Sequence, residues 1–464
     1  MSVQTKPPQV ATAATELVQL PARTRVLRHG LRMHIRGRTV HLRGLRRPPT
    51  GVWRWLALLG PGLIAATAGD DAGGVVTYTS VGAKLGYDLL WLLLVLTVSL
   101  GVVQEMCTRL GAASGRGLLD LIRERFGIGW AMLAIVVVLV ANGGVLVTEF
   151  AGIAAAADLF GLHRYLVVPL CAAVLGYLVV AGSYRRVEKL FLAMALVFFA
   201  YPVAAIVSHP DWGAVARGAF RPTLRSDPDY LLLAVGLLGT TITPYMQLFA
   251  QSSVVERGVA RRHYGSERID AYSGAFFSNV IAAFIIIAAG ATIHRLGGAD
   301  IGTAADAAQA LAPVAGAAAA TLFAIGLLGA SLLAAGVLPL ATAYSVSEAF
   351  GFRKGINLDP RRAPVFFGLF GTLLVVTAAL ALIPGVPIVP LLVGVQVLNG
   401  VLLPIILVFI LLLANDRAIA GELRNRLVDN VLGWGTAALV TGAVAILLGT
   451  QALSLVGITV LGGG

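Results

Sequence analysis

The sequence predicts an all-α integral membrane protein of about eleven transmembrane helices. These form an inverted five-plus-five repeat in which helices 1 and 6 are broken and helix 11 is peripheral. Three observations lead there. Of 464 residues, 58% are hydrophobic and 12% charged, with a mean hydropathy of +0.85. A soluble surface needs about 25% charged residues, so lipid must be the main solvent and a cytosolic enzyme is excluded. Apolar runs long enough to cross about 30 Å of hydrocarbon follow one another from Trp53 onward. Two of these runs are interrupted in matching positions of the two halves.

The chain divides into a basic N-terminal tail, residues 1–50, and a single transmembrane unit, residues 51–464. Ten of the 35 Lys and Arg residues lie in the tail. No apolar segment follows the first Met, so the tail does not resemble a cleavable signal. Val26 to Leu45 mixes Leu, Val, Ile and Met with Arg, and reads either as an interfacial helix on anionic lipid or as a disordered basic tail. The expected spans are 53–83, 88–113, 130–157, 165–183, 187–208, 229–256, 268–293, 318–350, 364–383, 388–414 and 430–450. With the N-terminus inside, cytoplasmic segments hold 29 Lys and Arg and outer segments hold 6, which together make the 35 present. That asymmetry is the positive-inside pattern. It makes the N-terminus cytoplasmic and assigns the net charge of +12 to membrane sidedness rather than to nucleic acid. Cys107 and Cys171 both fall within apolar runs and read as packing residues.

Span 1 is interrupted by Gly69-Asp70-Asp71-Ala72-Gly73-Gly74 and span 6 by Gly239-Thr240-Thr241-Ile242-Thr243-Pro244. Glycine weakens a helix, and proline removes a donor and clashes with the preceding turn. Irregular backbone at membrane depth survives only where protein or a watery cavity satisfies it. A matched pair of such breaks, first and sixth in two five-span halves, marks the place where an inverted-repeat carrier holds its substrate.

Asp70 and Asp71 carry the chemistry. An ionised side chain at the bilayer centre costs about 2.5–3.5 kcal/mol on insertion scales, and a bound cation removes that cost. A carboxylate capping the second half-helix is the structural alternative. The opposing break supplies Thr240, Thr241, Thr243, Tyr245 and carbonyls freed by Pro244. These are oxygen donors, with Met246 the only sulfur nearby, and such donors suit hard divalent cations. Glu149, Glu105 with Gln104, Asn279, and Gln396 with Asn399 also lie at membrane depth, as pathway lining or as interhelical hydrogen bonds.

These residues resemble the NRAMP family of divalent-metal transporters over most of residues 55–415. Gly60-Pro61-Gly62 opens span 1 as in the family, and Gly86-Tyr87 with Leu90-Trp91 follows the break at the family's distance. Asp71 falls on the Asp of the family's Asp-Pro-Gly-Asn metal motif. Arg109–Gly127 is similar to the loop after span 2, Ile269–Val280 to span 7, and Gln396 with Pro404 to span 10.

The departures from the family pattern are Ala72 and Gly74 for the motif's Pro and Asn, and Thr243-Pro244-Tyr245 for Met-Pro-His. Val337-Leu338-Pro339-Leu340 replaces a Gln-Ser-Ser stretch, and span 9 has no basic residue. In this the chain is closest to the NRAMP-related magnesium transporters. The resemblance implies a LeuT-like fold and transport of Mg2+ and Mn2+ without obligatory proton coupling, in a prokaryotic inner membrane. The metal is cargo, and neither a resident cofactor nor catalysis is expected. The implied metal site is Asp71, Asp70, Gly74, Thr240 (through its carbonyl), Thr243 in place of the Met ligand, and Gln396. Glu149, Glu105, Asn279 and Tyr245 are pathway candidates. The leading alternative is a proton-coupled Mn2+ or Fe2+ symporter. The oligomeric state is not fixed by the sequence.

Overall fold

A computed structural model of the chain describes residues 31–35, 38–42, 71–181, 196–256, 258–259, 264–297, 301–355 and 358–455. The chain separates into two units, 1–57 and 58–464. In the first, β1 (Leu31–Ile35) and β2 (Arg38–Leu42) pair antiparallel, with Leu31 opposite Leu42 and Met33 opposite Val40. For the described part of Val26 to Leu45, residues 31–35 and 38–42, strands stand where an interfacial helix or a disordered tail was expected; the rest lies outside the described residues. The paired sequence alternates apolar and polar residues with period two (Leu31, Met33 and Ile35 around Arg32 and His34), which is the period of a strand.

Every regular element described in the second unit is helical. Its longer helices are α1 (Ala72–Leu85), α2 (Leu90–Ser114), α3 (Leu118–Phe126), α4 (Ile128–Leu159), α5 (Arg164–Val180), α6 (Ala200–Val207), α7 (Trp212–Phe220), α8 (Pro228–Thr241), α9 (Pro244–Glu256), α10 (Tyr264–Thr292), α11 (Ala319–Phe350), α12 (Pro364–Ala381), α13 (Ile388–Asn415) and α14 (Leu427–Leu455). Among the described residues eight segments are long and apolar enough to cross a membrane, counting α8 and α9 as one. The expected first and fifth spans appear as the shorter α1 and α6, because residues 53–70 and 187–195 lie outside the described residues, and the fourth appears as α5, ending at Val180. Two amphipathic connectors, α3 and α7, are not spans.

The packing order follows the repeat. α2 lies along α10 and α4 along α11, each pairing a helix with its counterpart in the other half, while α8 packs on α13 and α1 on α10. Close approach requires small residues. A Cβ on Gly82 of α1 would run into the Ile286 carbonyl of α10, and one on Gly239 of α8 would overlap the Gln396 carbonyl of α13. α14 keeps much of its surface outside the bundle, with Leu427, Val428 and Val431 exposed.

Candidate metal site

α1 begins where the sequence breaks. Asp71 is extended (φ −69°, ψ 172°) and caps the helix, its Oδ1 accepting from the Gly74 amide at 2.6 Å. The residue is 2% exposed. The Gln396 Nε2 of α13 donates to the same Oδ1 at 3.3 Å, and Asn399, one turn further on, donates to Gln396 Oε1 at 3.0 Å. Both contacts fall on Oδ1, so Oδ2 takes part in neither. Glu149 of α4 arrives from the other side, where its Oε2 accepts from the Ala72 amide at a long 3.5 Å. Two buried carboxylates thus flank the first amides of α1, where the helix dipole favours negative charge. Gly152 of α4 has room for no Cβ, which would meet Ser331 Oγ of α11 and the Ala72 methyl. That contact seats α4 and α11 against the start of α1.

The sixth span leaves the helix three residues after the glycine. Gly239, Thr240 and Thr241 stay helical; the chain then departs at Ile242 (φ −120°, ψ 69°) and restarts at Pro244. Pro244 stands four residues after Thr240 and has no N–H, so the Thr240 carbonyl loses its helical partner. Thr240, Thr241 and Thr243 are all buried, and among the described residues none of their hydroxyls has a partner. A buried hydroxyl without a partner costs about 1–3 kcal/mol, a cost that an oxygen-seeking cation with its waters relieves. Gln396 joins the two breaks: its side chain reaches Asp71, and its backbone carbonyl lies against Gly239.

The structure therefore brings together Asp71, Gln396 and Glu149, and sets Gly239, the neighbour of Thr240, against Gln396; Thr243 stands in the break beyond. Gly74 lies in the same turn, but its amide is committed to Asp71, and its carbonyl sits inside a helix. Gln396 meets Asp71 as a donor, so offering oxygen to a cation requires its carboxamide to turn over. Asp70 lies outside the described residues. Tyr245 is buried beside the break.

Two candidates sit elsewhere. Asn279 donates to Thr97 of α2 at 3.1 Å, tying α10 to α2. Glu105 pairs with Arg109 at 3.3 Å; Arg109 also reaches Asp429 at 3.2 Å and Asn425 at 2.6 Å, at the start of α14. Arg109 is thus the shared cation of a buried strap between α2 and α14. Losing one partner of a buried pair costs about 3–5 kcal/mol, so Arg109→Met should lower the melting temperature sharply, and thermal unfolding in detergent measures it.

Sequence reasoning passed over Ser331 and Gln247. Gln247 of α9 is buried with neither amide atom partnered. The visible signal was a carboxamide four residues past Thr243 in an otherwise apolar run. Among the described residues no group of three His, Cys, Asp or Glu side chains is placed to hold a metal. The donor set at the breaks is instead two carboxylates with neutral oxygens.

A family model described as "Natural resistance-associated macrophage protein-like" (Nramp) matches residues 62–450. A protein of Deinococcus radiodurans named "Divalent metal cation transporter MntH" is 30% identical over 421 residues, covering 86% of this chain and 91% of that protein. One of the same name from Agrobacterium fabrum is 30% identical over 414 residues, covering 82% and 84%. Among solved structures, an Eremococcus coleocola manganese transporter bound to an aromatic bis-isothiourea compound aligns with a TM-score of 0.68 at 21% identity, covering 89% of this chain and 95% of that one. MhsT in complex with L-phenylalanine aligns at 0.54 and 17% identity, covering 87% and 99%. The two structural likenesses speak for the fold alone, a LeuT-like one. With the family match spanning most of the chain and both breaks, this integral membrane protein belongs to the Nramp family.

Proposed function

We propose that the chain carries divalent metal cations across the membrane by alternating access, with Mg2+ as cargo and Mn2+ alongside it, without obligatory proton coupling. The observation that carries this reading is a buried Asp71 at the start of α1, tied through Gln396 to a second break with three buried, unpartnered threonine hydroxyls. Oxygen donors of this kind favour hard cations, and the sulfur that would favour softer ones is replaced by Thr243. Asp70, Asp71, Thr240, Thr243 and Gln396 remain the proposed site; Gly74, whose amide serves Asp71 and whose carbonyl is held in α1, drops out of it. The names of the MntH relatives, divalent metal cation transporters, agree with the cargo class.

In this scheme spans 1, 2, 6 and 7 rock against spans 3–5 and 8–10. An interior-negative potential contributes about 2.3 kcal/mol per charge per 100 mV, hence about 4.6 for a divalent ion, or about three decades of concentration ratio. Uptake then needs no proton. The positive-inside distribution supports a multi-pass plasma-membrane protein with its N-terminus in the cytoplasm.

One observation favours a second reading, proton-coupled symport of Mn2+ or Fe2+. Glu149 is a buried carboxylate beside the metal site with one oxygen, Oε1, lacking a protein partner. Purified protein in liposomes, offered Mg2+, Mn2+ and Ca2+ in parallel with a luminal pH dye, separates the two. The proposal expects Mg2+ and Mn2+ influx without luminal acidification, and acidification in step with the metal would establish the symporter instead. In the same assay Thr243→Met should shift preference several-fold toward Mn2+ and Cd2+, because a thioether replaces a hard oxygen.

A further inference from the structure

From Thr243, the residue just before α9, a polar file runs down that helix. Thr243, Gln247 and Gln251 recur every four residues, so they share one face of the helix. All three are fully buried. Thr243 Oγ1, both amide atoms of Gln247 and Oε1 of Gln251 lack protein partners. Gln251 Nε2 donates to the carbonyl of Arg116 at 2.9 Å, in the turn between α2 and α3, a segment that the charge distribution assigns to the cytoplasmic side. The file therefore descends from the mid-membrane break to the cytoplasmic face over about 12 Å, eight residues at 1.5 Å each. The neighbouring Leu248 belongs to the core cluster, and Val254 is fully buried. A buried carboxamide with both ends unmatched costs about 1–3 kcal/mol per group, so packing alone argues for Leu or Met at position 247.

We propose that Gln247 is an intermediate station on the cytoplasmic leg of the path. Its carboxamide oxygen would take over part of a divalent cation's shell as the ion leaves Asp71, and Gln251 would form the next step. This rests on the transport reading above. A neutral amide suits the task because it binds a hydrated cation without trapping it; a carboxylate at the same depth would hold the ion longer.

The test compares Gln247→Leu, Gln247→Glu and Asp71→Ala in the full-length protein, with Mn2+ as the probe. Gln247→Leu should lower the maximal Mn2+ uptake rate at least tenfold, with the calorimetric Mn2+ dissociation constant within twofold of the parent and a melting temperature unchanged or higher. Gln247→Glu should regain binding in the path and still turn over slowly. Wild-type uptake by Gln247→Leu alongside loss in Asp71→Ala overturns the station and leaves the transport reading standing; wild-type uptake by Asp71→Ala overturns that reading itself. Should Gln247→Leu fail to fold, Gln247→Cys in a background carrying Cys107→Ala and Cys171→Ala provides the second measurement. A cytoplasmic-side methanethiosulfonate should block its uptake at least tenfold, and Mn2+ should slow the block. A thiol that does not react, or that reacts without affecting uptake, also overturns the station.

Discussion

Asp71→Ala should abolish divalent uptake, lowering it by at least two orders of magnitude in proteoliposomes, while the protein still folds. The loss is chemical: the substitution removes the only carboxylate among the described residues that Gln396 reaches, and with it the charge offsetting a dehydrated cation at mid-membrane. Folding should survive because the Asp71 cap contributes about 1 kcal/mol, and its removal also relieves a buried charge. Asp71→Asn separates the two roles. An Asn side chain still accepts from the Gly74 amide and so keeps the cap, yet it carries no charge and should be nearly as inactive. Uptake of Mg2+ and Mn2+ near the parent rate by either variant would remove Asp71 from the site.

Gly239→Ala should have the second largest effect, on both stability and transport. Its Cβ would overlap the Gln396 carbonyl and crowd Gly400, and both are backbone, which cannot rotate aside. α8 and α13 would have to part, at a cost of about 1–3 kcal/mol or more for overpacking. The same displacement draws the Gln396 side chain away from Asp71. A fall in thermal midpoint together with a raised dissociation constant for Mn2+ is the expected result. A stability loss with unchanged binding would show that the contact only packs.

The apolar runs and the charge asymmetry made the helical membrane fold legible, because lipid forces each span to be long and apolar. The doublet Asp70-Asp71 and the Pro244 break pointed to the candidate site for the same reason: charge and interrupted helix at that depth are costly. What the one-dimensional pattern could not supply was side-chain direction. Glu105 reads as a pathway acid by depth alone, yet four residues on lies Arg109, and the two share a helix face; Asn279 likewise spends its amide on Thr97. The sequence brackets the sixth-span break within Gly239–Pro244 but singles out neither the residue that leaves the helix nor the role of Gly239. In the fold it serves close packing, and the helix yields only where Pro244 leaves Thr240 without a donor. The β1–β2 pairing was hidden by the weight given to basic charge over the period-two alternation in Leu31–Leu42.

The eleventh span bears on motion through its ties to the bundle. α14 and the segment before it are fastened to α2 by Arg109 with Asp429 and Asn425, and by Thr436 with Ser99; they are fastened to α13 by the paired carboxamides of Asn415 and Asn430. In the rocking scheme α2 swings and α13 stays, so a strap knotted to both has only the slack its side chains allow. The amplitude of the inner mouth is then set at the rim of the molecule, by a lipid-bathed helix acting as a check-rein on the swing.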